Sequence, residues 1–362
     1  MGGIVDRNYA VAPGEYLAEW LEEERFTQQQ LADRLGWSRK RVNEIVGGRA
    51  PVSAEAAIQL ERVTGIPSDS WLRFETAYRS DLARLHDVEQ LQEEAVDARL
   101  AKYLRALGAT KATARNRAQL VSDLLRFHRC GTVAAYRDLV AEQFRGEFQL
   151  AALKESADAV DHALLMAWLR AGELTPEYEA ARTLAYDAEG LRTLLPELRR
   201  RVAIPDARMD DDVRSMLRTV GVTLQLVDPP SGLPLHGVTH WIDGRYPLIQ
   251  QTGRRGTDGF IIWTLFHELG HLLGDPRGET HLVFTSSKSR NSHAEKQANR
   301  FALETLFGES GLEPFKGLER DNDIRRVAEA VGISPGLAVF QMHRTRLLDY
   351  NRGNQLCVDL RA

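Results

Sequence analysis

Phe260-Ile261-Ile262-Trp263-Thr264-Leu265-Phe266-His267-Glu268-Leu269-Gly270-His271-Leu272-Leu273 is the stretch on which the fold turns. Its apolar run predicts a helix from about Asp258 to Leu273, stopped by Gly274 and Pro276. Histidines four apart on a helix share a face, so the imidazoles of His267 and His271 can meet one metal ion. Glu268 follows the first of them directly, where it can reach a water beside that ion as a general base. A catalytic zinc site takes three protein ligands and keeps one position for water. Downstream, Glu279, His281, His293, Glu295 and Glu304 are the candidates for the third. Glu295 opens the helical run Glu295-Lys296-Gln297-Ala298-Asn299-Arg300-Phe301-Ala302, on which it can face the first helix while Ala298, Phe301 and Ala302 pack. His293 is the alternative by spacing.

Outward from that helix the pattern is mixed. A helix over about 206–219 leads to Gly221, after which Val222, Leu224 and Leu226 alternate as in a strand. Extended runs at 236–243 and 246–251 follow, and together these predict a small, largely antiparallel sheet. A second helix is expected over about 292–307, then one more helix pair and a final strand at 355–360. Residues 86–195 read as helices, with Val96, Leu100, Tyr103 and Leu107 at helical spacings and no chemical motif. No internal repeat is present.

The first 85 residues are short helices separated by tight turns. Thr27-Gln28-Gln29-Gln30 is a capping box, and its helix runs through Leu31, Ala32 and Leu35 before breaking at Gly36. Ser38 can cap a second helix, Arg39 to Val46, that ends at Gly47-Gly48. Two short helices joined by a Gly-containing turn make the helix-turn-helix layout. Residues 34–49 hold five Lys or Arg against one Glu, a net +4 in an otherwise acidic region. Arg39, Lys40, Arg41 and Asn43 are suited to base edges, Arg and Lys to guanine and Asn to adenine, while Arg49 and Gln28 are suited to phosphates. A charged face that is merely solvated is the other reading.

Gln29-Gln30-Leu31-Ala32-Asp33-Arg34-Leu35-Gly36, Val42-Asn43-Glu44-Ile45-Val46-Gly47-Gly48 and Ile66-Pro67-Ser68-Asp69-Ser70-Trp71-Leu72 resemble the Xre-type helix-turn-helix of HigA-family antitoxins over about residues 10–85. That resemblance implies a homodimer on a palindromic operator. Phe266 to Leu273 and Glu295 to Ala302 resemble the ImmA/IrrE metallopeptidases, over about residues 205–345 and including Gly332-Ile333-Ser334-Pro335-Gly336. The second resemblance implies His267, His271 and Glu295 as metal ligands, Glu268 as base, and one Zn2+ or other divalent ion per chain. Beyond that turn the chain departs from its relatives, which tend to carry Gly-Arg-Leu-Gln-His where Phe340-Gln341-Met342-His343-Arg344 stands here. His343 is the candidate transition-state stabiliser there, a surface or core histidine being the other reading.

The 362-residue chain is 43% hydrophobic and 27% charged, as in ordinary globular proteins, and long enough for two or three domains. Its net charge of −4 excludes a protein that coats nucleic acid generally, so DNA contact must come from a local patch. Cys130 and Cys357 are far apart and form no CxxC, which argues against a disulfide framework. With no basic, apolar leader and no membrane-length apolar run, a cytoplasmic protein is expected.

The fold class expected is multidomain and mainly α. An all-α helix-turn-helix domain (1–85) precedes a helical connector (86–195) and an α+β zincin-like, gluzincin-type metallopeptidase domain (196–362). The function expected is a DNA-binding regulator with a zinc-dependent endopeptidase acting on a protein such as a repressor or antitoxin. The alternative is a HigA-like antitoxin and autorepressor whose metal domain docks a toxin or senses a ligand without proteolysis.

Overall fold

The computed structural model describes residues 9–145, 161–233, 235–252, 256–274, 281–284 and 293–360. The chain divides into two compact units: residues up to Val96 with Ala112–Ser122, and Asp97–Lys111 with everything from Asp123 onward.

In the first unit lie α1 (Pro13–Glu23), α2 (Gln28–Leu35), α3 (Arg39–Val46), α4 (Ala54–Thr64) and α5 (Ser68–Gln92). Local chemistry sets the boundaries. The Thr27 hydroxyl accepts the Gln30 amide at 3.2 Å, and the Gln30 side chain accepts the Thr27 amide at 2.8 Å, so two otherwise orphaned donors are satisfied at the start of α2. Ser38 does the same for α3, accepting the Arg41 amide at 3.2 Å. Leu31, Ala32, Leu35, Val42 and Ile45 then bury against Leu17, Leu60 and Trp71. A fully buried Leu or Ile contributes about 1.5–3 kcal/mol, so this shared core, rather than helix propensity, holds the two short helices together.

The residues read as a connector form α6 (Ala98–Ala106), α7 (Arg117–His128), α8 (Val133–Arg145), α9 (His162–Glu173) and α10 (Pro176–Ala181), with α11 (Ala188–Val202) following. Residues 97–111 and 123–195 belong to the second unit, and 86–96 with 112–122 to the first. Within the second unit α9 is a core helix. Its Leu164, Leu165, Ala167 and Trp168 are fully buried, and the Trp168 indole donates to the Val227 carbonyl at 2.8 Å.

The rest of the second unit contains α12 (Met209–Arg218), β1 (Thr223–Leu226), β2 (Leu235–Ile242), β3 (Tyr246–Gln251), α13 (Asp258–Gly274), β4 (His281–Phe284), α14 (His293–Phe307), α15 (Asp321–Val331) and α16 (Pro335–Arg344). The strands form one sheet in the order β1-β3-β2-β4. β2 pairs antiparallel with β3 and β4, but β1 pairs parallel with β3, Thr223 opposite Leu248. Two of the three pairings are thus antiparallel, as expected, and the parallel β1–β3 pair makes the sheet a mixed one. The Asp243-Gly244 turn folds β2 and β3 into a hairpin, and β1 joins the outer side of β3 running the same way.

The strand expected at 355–360 does not form. A 3-10 turn at Asn354–Leu356 and a single bridge from Thr257 to Asp359 stand there instead. The Val358 amide is spent on the Asp258 carboxylate, 3.0 Å away, so this stretch pins the start of α13 rather than extending the sheet. α13 is buried from Asp258 to Leu272, its polar residues included. No helix among the described residues is long and apolar enough to cross a membrane.

Candidate functional site

Two helices bring the metal-type donors together. α13 carries His267 and His271 on one face, and α14 presents Glu295 from its first turn. One donor atom from each of the three lies within 4.8 Å of the others, and all three residues are buried. The Nε2 atoms of His267 and His271 are 3.2 Å apart. His267 Nε2 lies 3.4 Å from Glu295 Oε2, and His271 Nε2 lies 3.3 Å from Glu295 Oε1.

Close contact between the helices depends on Gly270. A Cβ there would fall 2.9 Å from Ala298 Cα and 3.1 Å from the Phe301 ring, so any side chain would force α14 away.

The donor chemistry fits a divalent ion. Two imidazoles and one carboxylate are a set zinc accepts, and ligand atoms around a tetrahedral ion with bonds of about 2.0–2.1 Å lie roughly 3.3–3.4 Å apart. Burial pushes the Glu295 carboxyl up, but hydrogen bonds and charge from both histidines outweigh it and hold it down at about 2. Burial lowers His267, favouring the neutral imidazole that a metal needs.

Glu268 lies fully buried beside this cluster. Its Oε2 accepts a 2.6 Å hydrogen bond from the Thr239 hydroxyl on β2, while Oε1 has no hydrogen-bond partner among the described residues. Burial pushes its carboxyl up to about 8, against the lowering effect of His271 and Thr239. A dication at the three donors would draw it down again. The backbone of β2 passes close by, and a Cβ on Gly237 would sit 2.5 Å from Glu268 Oε1. Thr239 and Gly237 were invisible to motif reading, because neither residue type nor spacing links a strand to a helix almost thirty positions later.

The remaining candidates lie elsewhere or outside this group. His293 is exposed at the start of α14, and Glu304 is exposed on the same helix. His281 lies on β4, paired opposite Thr239. Glu279 lies outside the described residues. His343 is not among the clustered donors: its Nε2 lies 2.8 Å from the Arg352 carbonyl oxygen, and its ring leans on Tyr350.

On the first unit, Arg39, Lys40, Arg41 and Asn43 project from α3 on the side away from Val42 and Ile45, all four exposed. Arg49 donates to Asn43 Oδ1 at 2.6 Å, and Asn43 Nδ2 lies 3.4 Å from Gln28 Oε1, which links three of the six candidates side by side. Arg41 lies over the Trp37 ring at 4.1 Å. Lys40 approaches Glu44 at 3.8 Å on an exposed surface, a pairing too weak to withhold it from an anion.

A capped, basic helix-turn-helix and a buried His-His-Glu cluster on paired helices define the class: a multidomain, mainly α protein joining a DNA-binding domain to a metallopeptidase-type domain. Residues 17–71 match the helix-turn-helix family, and residues 261–343 match the IrrE N-terminal-like domain, a peptidase family. Over 75 residues the chain is 37% identical to virulence-associated protein I of Dichelobacter nodosus, covering 20% of this chain and 69% of that protein. Through its N-terminal domain the chain belongs to the helix-turn-helix family, fused here to an IrrE-like domain. Among solved structures it is similar to an addiction module antidote protein of the HigA family from Coxiella burnetii (28% identity, 24% of this chain, 97% of that chain, TM-score 0.22). It is similar also to the Pseudomonas aeruginosa antitoxin HigA with the higBA promoter (28% identity, 25% of this chain, 99% of that chain, TM-score 0.22).

Proposed function

We propose that the chain is a DNA-binding transcriptional regulator whose C-terminal domain is a zinc-dependent endopeptidase acting on a protein substrate such as a repressor or an antitoxin. The exposed basic face of α3, within a helix-turn-helix family match, supports the DNA-binding half. Two copies on a palindromic operator belong to the same reading. The enzymatic half rests on one observation: a buried carboxyl, Glu268, beside a three-donor cluster that does not include it. Three donors would suffice to hold an ion. A fourth, non-ligating carboxyl buried at their side costs desolvation energy and is accounted for by proton transfer.

His267, His271 and Glu295 would hold the ion. When bound, zinc supplies a Lewis acid that polarises a scissile carbonyl and acidifies water. Glu268 then takes a proton from the attacking water and returns it to the leaving amine. Thr239 holds one carboxylate oxygen at 2.6 Å, which leaves Oε1 for that transfer.

The test pairs metal analysis with proteolysis. Purified protein is expected to carry about one zinc-like ion per chain. Glu295→Ala should lose the ion, and Glu268→Gln should keep it while cleavage of proteins incubated with the wild type stops. Full occupancy in Glu295→Ala would exclude that ligand. Metal with no cleavage sensitive to Glu268→Gln would favour the antitoxin and autorepressor reading. In parallel, duplexes selected from a random pool should lose affinity for an Arg39/Lys40/Arg41 triple alanine variant, at about 1–3 kcal/mol per lost base contact. Unchanged binding would remove α3 as the recognition helix.

A further inference from the structure

Trp37 stands in the turn between α2 and α3, and three contacts fix it. Gly36, in the left-handed conformation (φ 66°), closes α2 and lets the Trp37 amide reach the Ala32 carbonyl at 2.9 Å. The indole N–H donates to Gln59 Oε1, on α4, at 2.8 Å. The half-buried ring packs on the core that α2, α3 and α4 share. Over this ring lies Arg41, its guanidinium 4.1 Å from the ring centre.

Arg41 is the third residue of α3 and is exposed. Its side chain makes no hydrogen bond and no ion pair among the described residues. Contact with a ring face spends none of the five N–H donors of a guanidinium. Arg39 and Lys40 stand beside it without such a platform, and Lys40 leans toward Glu44 at 3.8 Å. Arg49 spends Nη2 on Asn43. Of these four cations, Arg41 alone is both held and unspent among the described residues.

A long side chain loses rotamer freedom when it docks, and a stacked arginine has lost much of it in advance. A flexible point charge such as lysine satisfies a phosphate, so a phosphate contact gains little from a fixed plane. The edge of guanine is different, because its O6 and N7 are met by a fork that arrives in their plane. Residues early in a recognition helix are also those that meet base edges.

We propose that Trp37 and Gln59 are positioning residues for DNA recognition: they set the Arg41 guanidinium in advance, and so make Arg41 the residue of α3 that discriminates a guanine. The assignment rests on the DNA-binding reading above. Its rival is a ring that merely packs under a solvated arginine, where removing the ring costs stability and no selectivity.

The test uses the full chain and duplexes that the wild type selects from a random pool, at one fixed salt concentration because phosphate contacts are salt-sensitive. Affinity is measured for a selected duplex, for the same duplex with each G·C pair replaced in turn, and for an unrelated duplex. Arg41→Ala should bind the selected duplex ~10- to 100-fold more weakly, and one G·C replacement that weakens the wild type should no longer matter to it. Trp37→Leu should lose ~2- to 5-fold on the selected duplex and nothing on the unrelated one. Gln59→Leu should lose part of the same selectivity, and Trp37→Phe, which keeps a ring face, should retain part of it. The Trp37→Leu/Arg41→Ala double variant should bind no worse than Arg41→Ala, because the ring acts through the arginine. Equal losses by Arg41→Ala on every duplex would make it a phosphate contact and overturn the assignment. Unchanged discrimination in Trp37→Leu, or losses that add in the double variant, would overturn it as well. A wild type that selects no duplex would instead remove the DNA-binding reading, and this assignment with it. Where Trp37→Leu folds poorly by circular dichroism, Gln59→Leu and Trp37→Phe carry the comparison, and unchanged discrimination in Gln59→Leu then overturns the assignment.

Discussion

At the scale of single residues, the candidate centre separates groups that would hold an ion from groups that aim a carboxylate. Thr239 belongs to the second kind. Its hydroxyl is the hydrogen-bond partner of Glu268 Oε2, in a place where neither residue touches solvent. Removing that donor leaves a buried carboxylate oxygen unsatisfied, at a cost of about 1–3 kcal/mol, and raises the Glu268 carboxyl further, since the Thr239 bond lowers it. Thr239→Val is therefore expected to lower the melting temperature and any proteolytic rate, with the metal content intact. Thr239→Ser, which keeps the hydroxyl, should recover both. Full activity with normal stability in Thr239→Val would show that Glu268 needs no such anchor, and loss of metal would show that the damage spreads to the ligands.

At the scale of elements, the two halves of the chain differed in how far they could be read ahead. The caps at Thr27 and Ser38 act over three residues, so α2 and α3 were legible from local sequence alone. The two helices that carry the candidate donors were legible as well, because His267 and His271 share a face of one long apolar run. What was not legible is contact between distant elements. Nothing local tells a strand which neighbour it will join, so the parallel pairing of β1 with β3 was missed. The tail at 355–360 reads as a strand until its backbone is seen spent on Asp258. Thr239 and Gly237 escaped for the same reason: each acts on an element remote in sequence. Gly270 shows how tightly such elements fit. Gly270→Ala places a methyl 2.9 Å from Ala298 Cα, against backbone that cannot swing aside. Overpacking of this kind costs about 1–3 kcal/mol. The variant should melt earlier and bind zinc more weakly in a competition titration, since separating α13 from α14 draws Glu295 away from both histidines. Wild-type zinc affinity in that variant would mean the donors do not depend on the close helix contact.

At the scale of the whole molecule, the two units should respond differently to acid. Nine of the ten histidines lie outside the first unit, whose His86 is exposed. In the second unit, the Nε2 atoms of His128 and His240 are sealed from solvent and have no hydrogen-bond partner among the described residues. Burial pushes both imidazoles down to about 4, with the Arg170 charge adding to the effect at His128. In an unfolded chain they would titrate near 6.5. Between those values the unfolded state binds more protons than the folded one, so lowering the pH favours unfolding. Their contribution is complete above pH about 6.5 and is lost as the pH falls toward about 4, on the order of 3 kcal/mol for each histidine. Metal release by protons would produce a similar trend, so the measurement belongs in chelator. Hydrogen exchange followed from pH 7 down to pH 4.5 should show amides of β3 and α13 losing protection beyond the intrinsic rate change, while those of α1 to α4 hold theirs. His240→Phe, which fills the same space without a proton site, should remove about half of that pH dependence. Parallel loss in both units, or an unchanged slope in His240→Phe, would place the acid sensitivity elsewhere than in these buried imidazoles.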